Sequence, residues 1–337
     1  MHDDNTHPVR WGVELTPDAP VSAIGRLAAD VEAVGLDAAF ISNHYGNRDP
    51  IVALTRCAGE TDRIRLGPGV VNPYETHPVR LASQLATLNE LSDGRAVFGI
   101  GAGDRSTLRT MGIDRDRPLA VVRESIHVVR TLLAGERSNR SGTIETSAAS
   151  LNYPTDPAPI YLGAQGPQML AMGASVADGI LFNGATLADY HEALPDIRRG
   201  IDQRPDDHGP VSVLGFASVS VDEDREEARF AARKPVAYIV AGAPDPIAER
   251  HDLDPDAVSA VRDALEANDR ESAYDRVTES MIDAFCIAGT PDAVAARLET
   301  LTTVVDGIVA ASPLGPDRST AIDLLGGIVR EFPDGAR

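Results

Sequence analysis

Ile64-Arg65-Leu66-Gly67-Pro68-Gly69-Val70-Val71, the stretch Val79–Leu91, and Ala96-Val97-Phe98-Gly99-Ile100 read together as one strand–helix–strand unit. The outer runs are short and apolar, while the segment between them repeats its apolar residues at helical spacing. Strands joined through a helix run parallel, so this unit belongs to a sheet covered by helices. The same alternation extends outward in both directions. Further strand-like runs lie at Trp11–Leu15, Ala38–Ser42, Ile160–Leu162, Gly179–Phe182, Val211–Val221 and Gly307–Ala311, which makes eight. Helical stretches follow them at Val21–Val34, Ile51–Gly59, Leu119–Leu133, Pro167–Ala177, Leu187–Ile201, from Glu223 onward, and Ser319–Phe332. Eight β/α units predict a (β/α)8 TIM barrel, a fold that needs about 250 residues in plain form. A doubly wound open sheet is the second choice, since strand order is invisible in sequence.

The chain has 337 residues, a surplus of roughly 90 over that plain barrel. The surplus is expected as two insertions, 138–155 before strand five and 245–281 between strands seven and eight. Proline and glycine are spread as punctuation and form no linker, so residues 1–337 are expected to be one domain.

Composition excludes several function classes. There are 31 basic and 51 acidic side chains, a formal net charge of −20. Nucleic-acid binding and membrane-surface binding both need cations facing the partner, so neither is expected. Lys234 is the sole lysine and the other basic residues are arginine. Excess carboxylate with lysine nearly absent points to a cytoplasm of high salt, where repulsion is screened over a few ångströms. An ordinary acidic protein from a GC-rich genome has the same composition. No apolar run approaches the length of a membrane span, and Met1-His2-Asp3-Asp4 lacks the basic and apolar regions of a signal peptide. Cys57 and Cys286 form no CxxC pair and are expected as small core residues in a reducing, cytoplasmic setting.

In a barrel the active site lies at the C-terminal strand ends. Five ends carry unusual residues. In Gly12-Val13-Glu14-Leu15 the strand alternation lets Glu14 point inward, where an enclosed carboxyl group suits general-acid work; a surface glutamate is the alternative. Ser42-Asn43-His44-Tyr45 clusters hydrogen-bonding groups that suit the polar edge of a planar ligand or simply satisfy a tight loop. Gly67-Pro68-Gly69-Val70-Val71-Asn72-Pro73-Tyr74 cannot be a regular central strand, and marks a bulge or forced backbone, or else a structural turn. Phe98-Gly99-Ile100-Gly101-Ala102-Gly103-Asp104 reads GxGxG and lacks the dinucleotide fingerprint spacing; its glycines are expected to leave room for a flat ring, with Asp104 at the edge. Gly163-Ala164-Gln165-Gly166-Pro167 opens a helix and is a candidate phosphate anchor or a plain β-to-α turn. Ser312-Pro313-Leu314-Gly315-Pro316-Asp317 is a weaker candidate.

Other chemistries lack their motifs. No HExxH or metal-ligand spacing occurs among the histidines, no GxSxG elbow and no GxxxxGK[ST] loop, so no protein-bound metal is expected.

Taken together, Gly67–Tyr74, Ala86–Asp104 and Ile160–Pro167 resemble the methylenetetrahydromethanopterin reductases of the bacterial-luciferase-like superfamily. The resemblance continues through Ala241–Pro244, Glu249-Arg250-His251, Gly289–Asp292 and Ser312–Asp317, in order along nearly the whole chain. It implies a (β/α)8 barrel binding the deazaflavin coenzyme F420, with FMN as the alternative cofactor, and a non-prolyl cis peptide at Gly69–Val70 behind the ring. It implies hydride transfer to the one-carbon bridge of a methylene-tetrahydropterin, carried on methanopterin or on folate, with Glu14 and Asp104 as catalytic residues. Cofactor contact is implied for Asn43, His44, Gly69, Val70, Val71, Ala102, Gly103, Gly163, Ala164, Gln165 and Gly166. Members commonly carry Asp where Asn43 stands, a departure that removes a charge at the cofactor edge. A homo-oligomer, dimer or tetramer, is expected. Other F420- or FMN-dependent oxidoreductases, or a non-catalytic flavin-binding barrel, are the competing functions.

Overall fold

The computed structural model describes residues 9–332, so the Met1–Asp4 run read above lies outside the described residues. Eight parallel strands form the barrel: β1 Trp11–Leu15, β2 Ala38–Ile41, β3 Arg65–Pro68, β4 Phe98–Gly101, β5 Ile160–Gly163, β6 Gly179–Phe182, β7 Ser212–Val221 and β8 Gly307–Leu314. Pairing runs β3-β2-β1-β8-β7-β6-β5-β4. Backbone hydrogen bonds join the two ends of that path: Leu66 N to Arg95 O at 3.1 Å, Val97 N to Leu66 O at 2.9 Å, Val71 N to Gly99 O at 3.0 Å and Gly101 N to Val71 O at 2.8 Å. The barrel therefore closes between β3 and β4, and the open-sheet alternative is set aside.

Two glycines allow that closure. A Cβ on Gly67 would collide with the Val97 carbonyl, and one on Gly99 with the Pro68 carbonyl. The β3 ladder also stops at Pro68 short of the expected Val71, because the Gly69–Val70 peptide is cis and turns the chain before Val71 bridges to Ile100.

Apolar side chains pointing inward fill the barrel with Ala38, Phe40, Val97, Tyr161, Leu181, Leu214 and Val309. Outward-pointing residues such as Val13, Leu66, Ile100 and Leu162 pack against the helices. The helical ring contains α1 Val21–Ala33, α2 Pro50–Ala58, α3 Pro78–Leu91, α4 Pro118–Leu133, α5 Pro167–Val176, α6 Leu187–Ile201, α7 Pro291–Thr302 and α8 Arg318–Glu331. Helices α2, α3 and α4 begin on a proline, one residue ahead of the expected starts, because a first-turn N–H has no intrahelical partner to lose. The expected helix from Glu223 begins at Arg225, capped by Asp224, and it is α7 that lies between Ile287–Gly289 and β8.

Two excursions leave the ring. Ser138–Arg140 pairs antiparallel with Thr146–Ala149, and this hairpin is tied to α4 by Ile144 N donating to Glu124 Oε2 at 2.8 Å. Between β7 and α7, helices Arg225–Gly242, Asp245–Arg250, Pro255–Glu266, Arg270–Asp275 and Glu279–Phe285 bury an apolar cluster of their own, including Val236, Val240, Val258, Val261, Met281 and Phe285. Ile287–Gly289 then pairs with Val219–Val221 and leads back to the barrel. Cys57 and Cys286 are buried free thiols, and burial pushes both up to about 12. Among the described residues no helix is long and apolar enough to cross a membrane.

Candidate active site at the C-terminal strand ends

Glu14 stands in register with Phe40, whose ring belongs to the barrel interior, so alternation turns the Glu14 side chain inward as well. It is only 4% exposed. Both carboxyl oxygens are held: Oε1 accepts from the Thr16 hydroxyl at 3.0 Å and Oε2 from the Ser312 backbone N–H at 3.1 Å. Ser312 precedes the second cis peptide, Ser312–Pro313, so the weak candidate after the last strand holds Glu14 in place.

Next to β1, the end of β2 carries half-buried Asn43 and exposed His44. His44 stacks on Tyr45 with ring centroids 4.7 Å apart, and its Nδ1 accepts from Gly46 N at 3.2 Å. The Asn43 amide instead reaches across to the β3 end and donates through Nδ2 to Glu75 Oε2 at 3.1 Å. Glu75 Oε1 accepts from Asn72 Nδ2 at 2.7 Å. Asn72 Oδ1 in turn accepts from the backbone N–H groups of Tyr74 and Glu75, at 3.1 and 3.0 Å. Glu75 was not singled out from the sequence. Its signal is the Asn72-Pro73 step, an asparagine that turns the chain by accepting backbone N–H groups two and three residues on.

Val70 is the side chain around which β3, β4 and β5 meet. A Cβ on Gly99, Gly101 or Gly163 would press on the Val70 methyls, and one on Gly69 would press on Phe40. The space a side chain would need at the β4 glycines is thus taken by Val70 and nearby backbone. The β3 bulge is in this way packed from behind and presents a firm ridge at the mouth. Ala102 and Gly103 continue the rim. Gly103 has φ +71°, a conformation suited to glycine, and its carbonyl accepts from Arg115 at 2.8 Å.

Asp104 is exposed and caps the helix Arg105–Thr110. Its Oδ1 accepts from the Ser106 hydroxyl at 2.5 Å and from Thr107 N at 2.7 Å. Partial burial alone would push this carboxyl up, but those hydrogen bonds outweigh it and hold it below the ordinary aspartate range. At the β5 end Ala164 is buried while Gln165 and Gly166 are exposed. Gly166 caps α5 with no side-chain hydrogen bond, and Pro167 follows. The early N–H groups of α5 therefore face outward at a helix N-terminus, an arrangement suited to an anion.

The barrel order sets Glu14, Asn43, Gly69–Val71, Ala102–Gly103 and Gly163–Gly166 along one continuous arc of strand ends, from β1 to β5. Two further clusters flank the arc. Arg318 makes a bidentate pair with Asp18 at 2.7 and 2.8 Å, which holds the Asp18 carboxyl below its ordinary range. Asp189, buried at the start of α6, accepts from Thr186 Oγ1 at 2.9 Å and from His251 Nε2 at 2.9 Å. Among the described residues no group of His, Cys, Asp and Glu could hold a metal ion.

Comparison with known proteins agrees with this fold. The 5,10-methylenetetrahydromethanopterin reductase of Archaeoglobus fulgidus is 41% identical over 324 residues, covering 94% of this chain and 98% of its own. The enzyme of the same name from Methanolobus tindarius is 40% identical over 319 residues, covering 94% and 98%. The solved structure of coenzyme F420-dependent tetrahydromethanopterin reductase from Methanopyrus kandleri superposes with a TM-score of 0.91 at 35% identity, covering 97% of this chain and all of that one. The luciferase-like monooxygenase family profile matches residues 6–306. With that match spanning most of its length, the chain belongs to the luciferase-like monooxygenase family.

Proposed function

We propose that this protein is an F420-dependent methylene-tetrahydropterin reductase, an oxidoreductase acting on a CH–NH group. Full-length similarity to reductases of that name supports the activity. The single structural observation that carries the chemistry is Glu14, an enclosed carboxyl group on the barrel wall two strands from the Gly69–Val70 bulge. The arc fits the cofactor: the ridge at Val70 backs a flat ring, half-buried Asn43 offers a polar edge, and the uncapped start of α5 suits a phosphate.

When bound, the deazaflavin supplies a hydride. The chain's own residues then position the reactants, exclude water and manage a proton. The one-carbon bridge accepts hydride only after a pterin nitrogen is protonated, and Glu14 is the assigned donor. Ser312 N–H fixes Oε2 as an acceptor, so Oε1 is the oxygen that carries the proton. The Thr16 hydroxyl, which donates to Oε1, can turn and accept from it when the proton is present. Asp104 is held ionised and caps a helix, so its part is to orient the β4 rim and whatever binds there.

Methanopterin is the carrier that the relatives' names support, and folate is the alternative to be tested beside it. We further place the enzyme in a salty cytoplasm as a homo-oligomer. Its −20 net charge and buried free thiols support the first, and Phe230 and Tyr238, 67% and 46% exposed on one helix, support the second.

The test is to follow oxidation of reduced F420 at high salt as each methylene carrier is added in turn. Turnover with the methanopterin form is expected; oxidation of FMNH2 alone would overturn the cofactor. Glu14→Gln should lower turnover at least about 100-fold while F420 binding is retained. Unchanged turnover would dismiss Glu14 as the acid.

A further inference from the structure

We infer that Glu75 is a positioning residue, which locks the Asn43 amide so that its carbonyl, and not its NH2, is presented to an N–H on the polar edge of the bound ring. This rests on the proposed deazaflavin function. An asparagine side chain is two-faced, and its orientation is decided by its neighbours. Here the neighbours leave one solution. Asn72 Oδ1 is occupied by two backbone N–H groups, so Asn72 can only donate to Glu75, through Nδ2 to Oε1 at 2.7 Å. Glu75 Oε2 is an acceptor as well, so Asn43 must also donate to it, through Nδ2 at 3.1 Å. Asn43 Oδ1 accepts no hydrogen bond among the described residues and is left at the half-buried β2 end, on the arc. The pyrimidinedione edge of a deazaflavin carries one N–H between two carbonyls, and only that N–H complements an acceptor.

The same chain of hydrogen bonds accounts for an amide at position 43. An aspartate there would set a second carboxylate about 3 Å from Glu75, where two like charges cannot both stay ionised. It also predicts the outcome of an isosteric change. In Glu75→Gln the new amide must keep its oxygen toward Asn72 and turn its NH2 toward Asn43. Asn43 then flips and offers a donor to the ring N–H. Adding Asn43→Asp restores an acceptor on both sides of the contact.

F420 binding can be read from the fluorescence of the oxidised deazaflavin at high salt, with no turnover required. Glu75→Gln should weaken binding about tenfold, the scale of one hydrogen bond replaced by a mismatched pair, while Asn43→Asp, which still offers the ring an acceptor, should stay within about threefold. The double variant should return to within about threefold of the parent. A deazaflavin methylated on the ring nitrogen should bind the parent and Glu75→Gln equally. Thermal unfolding without cofactor should show Asn43→Asp destabilised by its carboxylate pair with Glu75, the double variant restored, and Glu75→Gln near the parent, which reads the pairing independently. Unchanged affinity in Glu75→Gln, or a double variant as weak as Glu75→Gln, would overturn the assignment alone. A parent protein that does not bind F420 overturns the cofactor reading and this assignment with it.

Discussion

Gly99 shows how a single residue can carry the closure of the barrel. Its missing side chain lets the β4 backbone lie against the Pro68 carbonyl, and β3 can pair with β4 only because both partners stay this close. Backbone cannot move aside as a side-chain tip can, so Gly99→Ala should destabilise the fold by about 3 kcal/mol, at the upper end of overpacking costs. Denaturant unfolding at high salt measures this; a cost below about 0.5 kcal/mol would mean that the seam is slack. Asp104 poses a different question at this scale, because one carboxylate both caps a helix and stands at the rim. Asp104→Ala should lose about 1 kcal/mol of stability, and Asp104→Ser, which also caps, should recover most of it. If Asp104→Ser is as stable as the parent but still slow in turnover, the charge itself acts in the reaction.

At the scale of elements, the excursion between β7 and α7 has a core of its own, yet it is tied to the barrel through a few buried polar groups. Asp189 is one such tie. It belongs to the capping box that starts α6, and its other oxygen takes His251 and Arg250 from the excursion. Burial by itself would push its carboxyl up, but the His251 and Thr186 hydrogen bonds prevail and hold it below the ordinary range. Asp189→Ala should therefore cost about 3 kcal/mol, the lower end for breaking a buried ionic contact. Limited proteolysis should then cut first between Arg225 and Phe285. Cleavage elsewhere in the chain first would show that the excursion holds on without this tie. A second contact of the same kind, Arg229 with Glu279 and Asp283, braces the excursion internally and should be unaffected.

For the whole molecule, the −20 net charge sets the conditions of stability. Repulsion among exposed carboxylates acts over about 10 Å in 0.1 M salt and about 3 Å in 1 M, so unfolding temperature should rise steeply across that range. A flat salt profile would sink the halophilic reading and leave the composition to the genome alone. Acid acts through particular groups. Asp18, Asp104, Asp189 and Asp317 are each held below the ordinary aspartate value when folded. Such groups bind protons more tightly in the unfolded chain. Their contribution is complete above about pH 4 and is lost as pH falls through the depressed folded values. Stability at high salt should thus be level from pH 7 to about 5 and decline below about 4; a decline beginning near pH 6 would point to a histidine instead.

How far the sequence reached follows from the range of the forces involved. Eight strands, the helices between them and the irregular backbone within Gly67–Tyr74 were legible because alternation, helical spacing and glycine–proline punctuation are local properties of a chain. The five strand ends could be read for the same reason, once the barrel told where to look. Three things could not be read locally. The glycines beside β4 make room for Val70, a residue about thirty positions away. Glu75 acquires its importance from Asn43 on a different strand end. Ser312 reaches Glu14 from 298 positions along the chain. The sequence by itself determined which elements form and which residues stand at their ends. Only the tertiary structure decided which way those side chains face, because a hydrogen bond depends on orientation and distance between partners that no local pattern brings together.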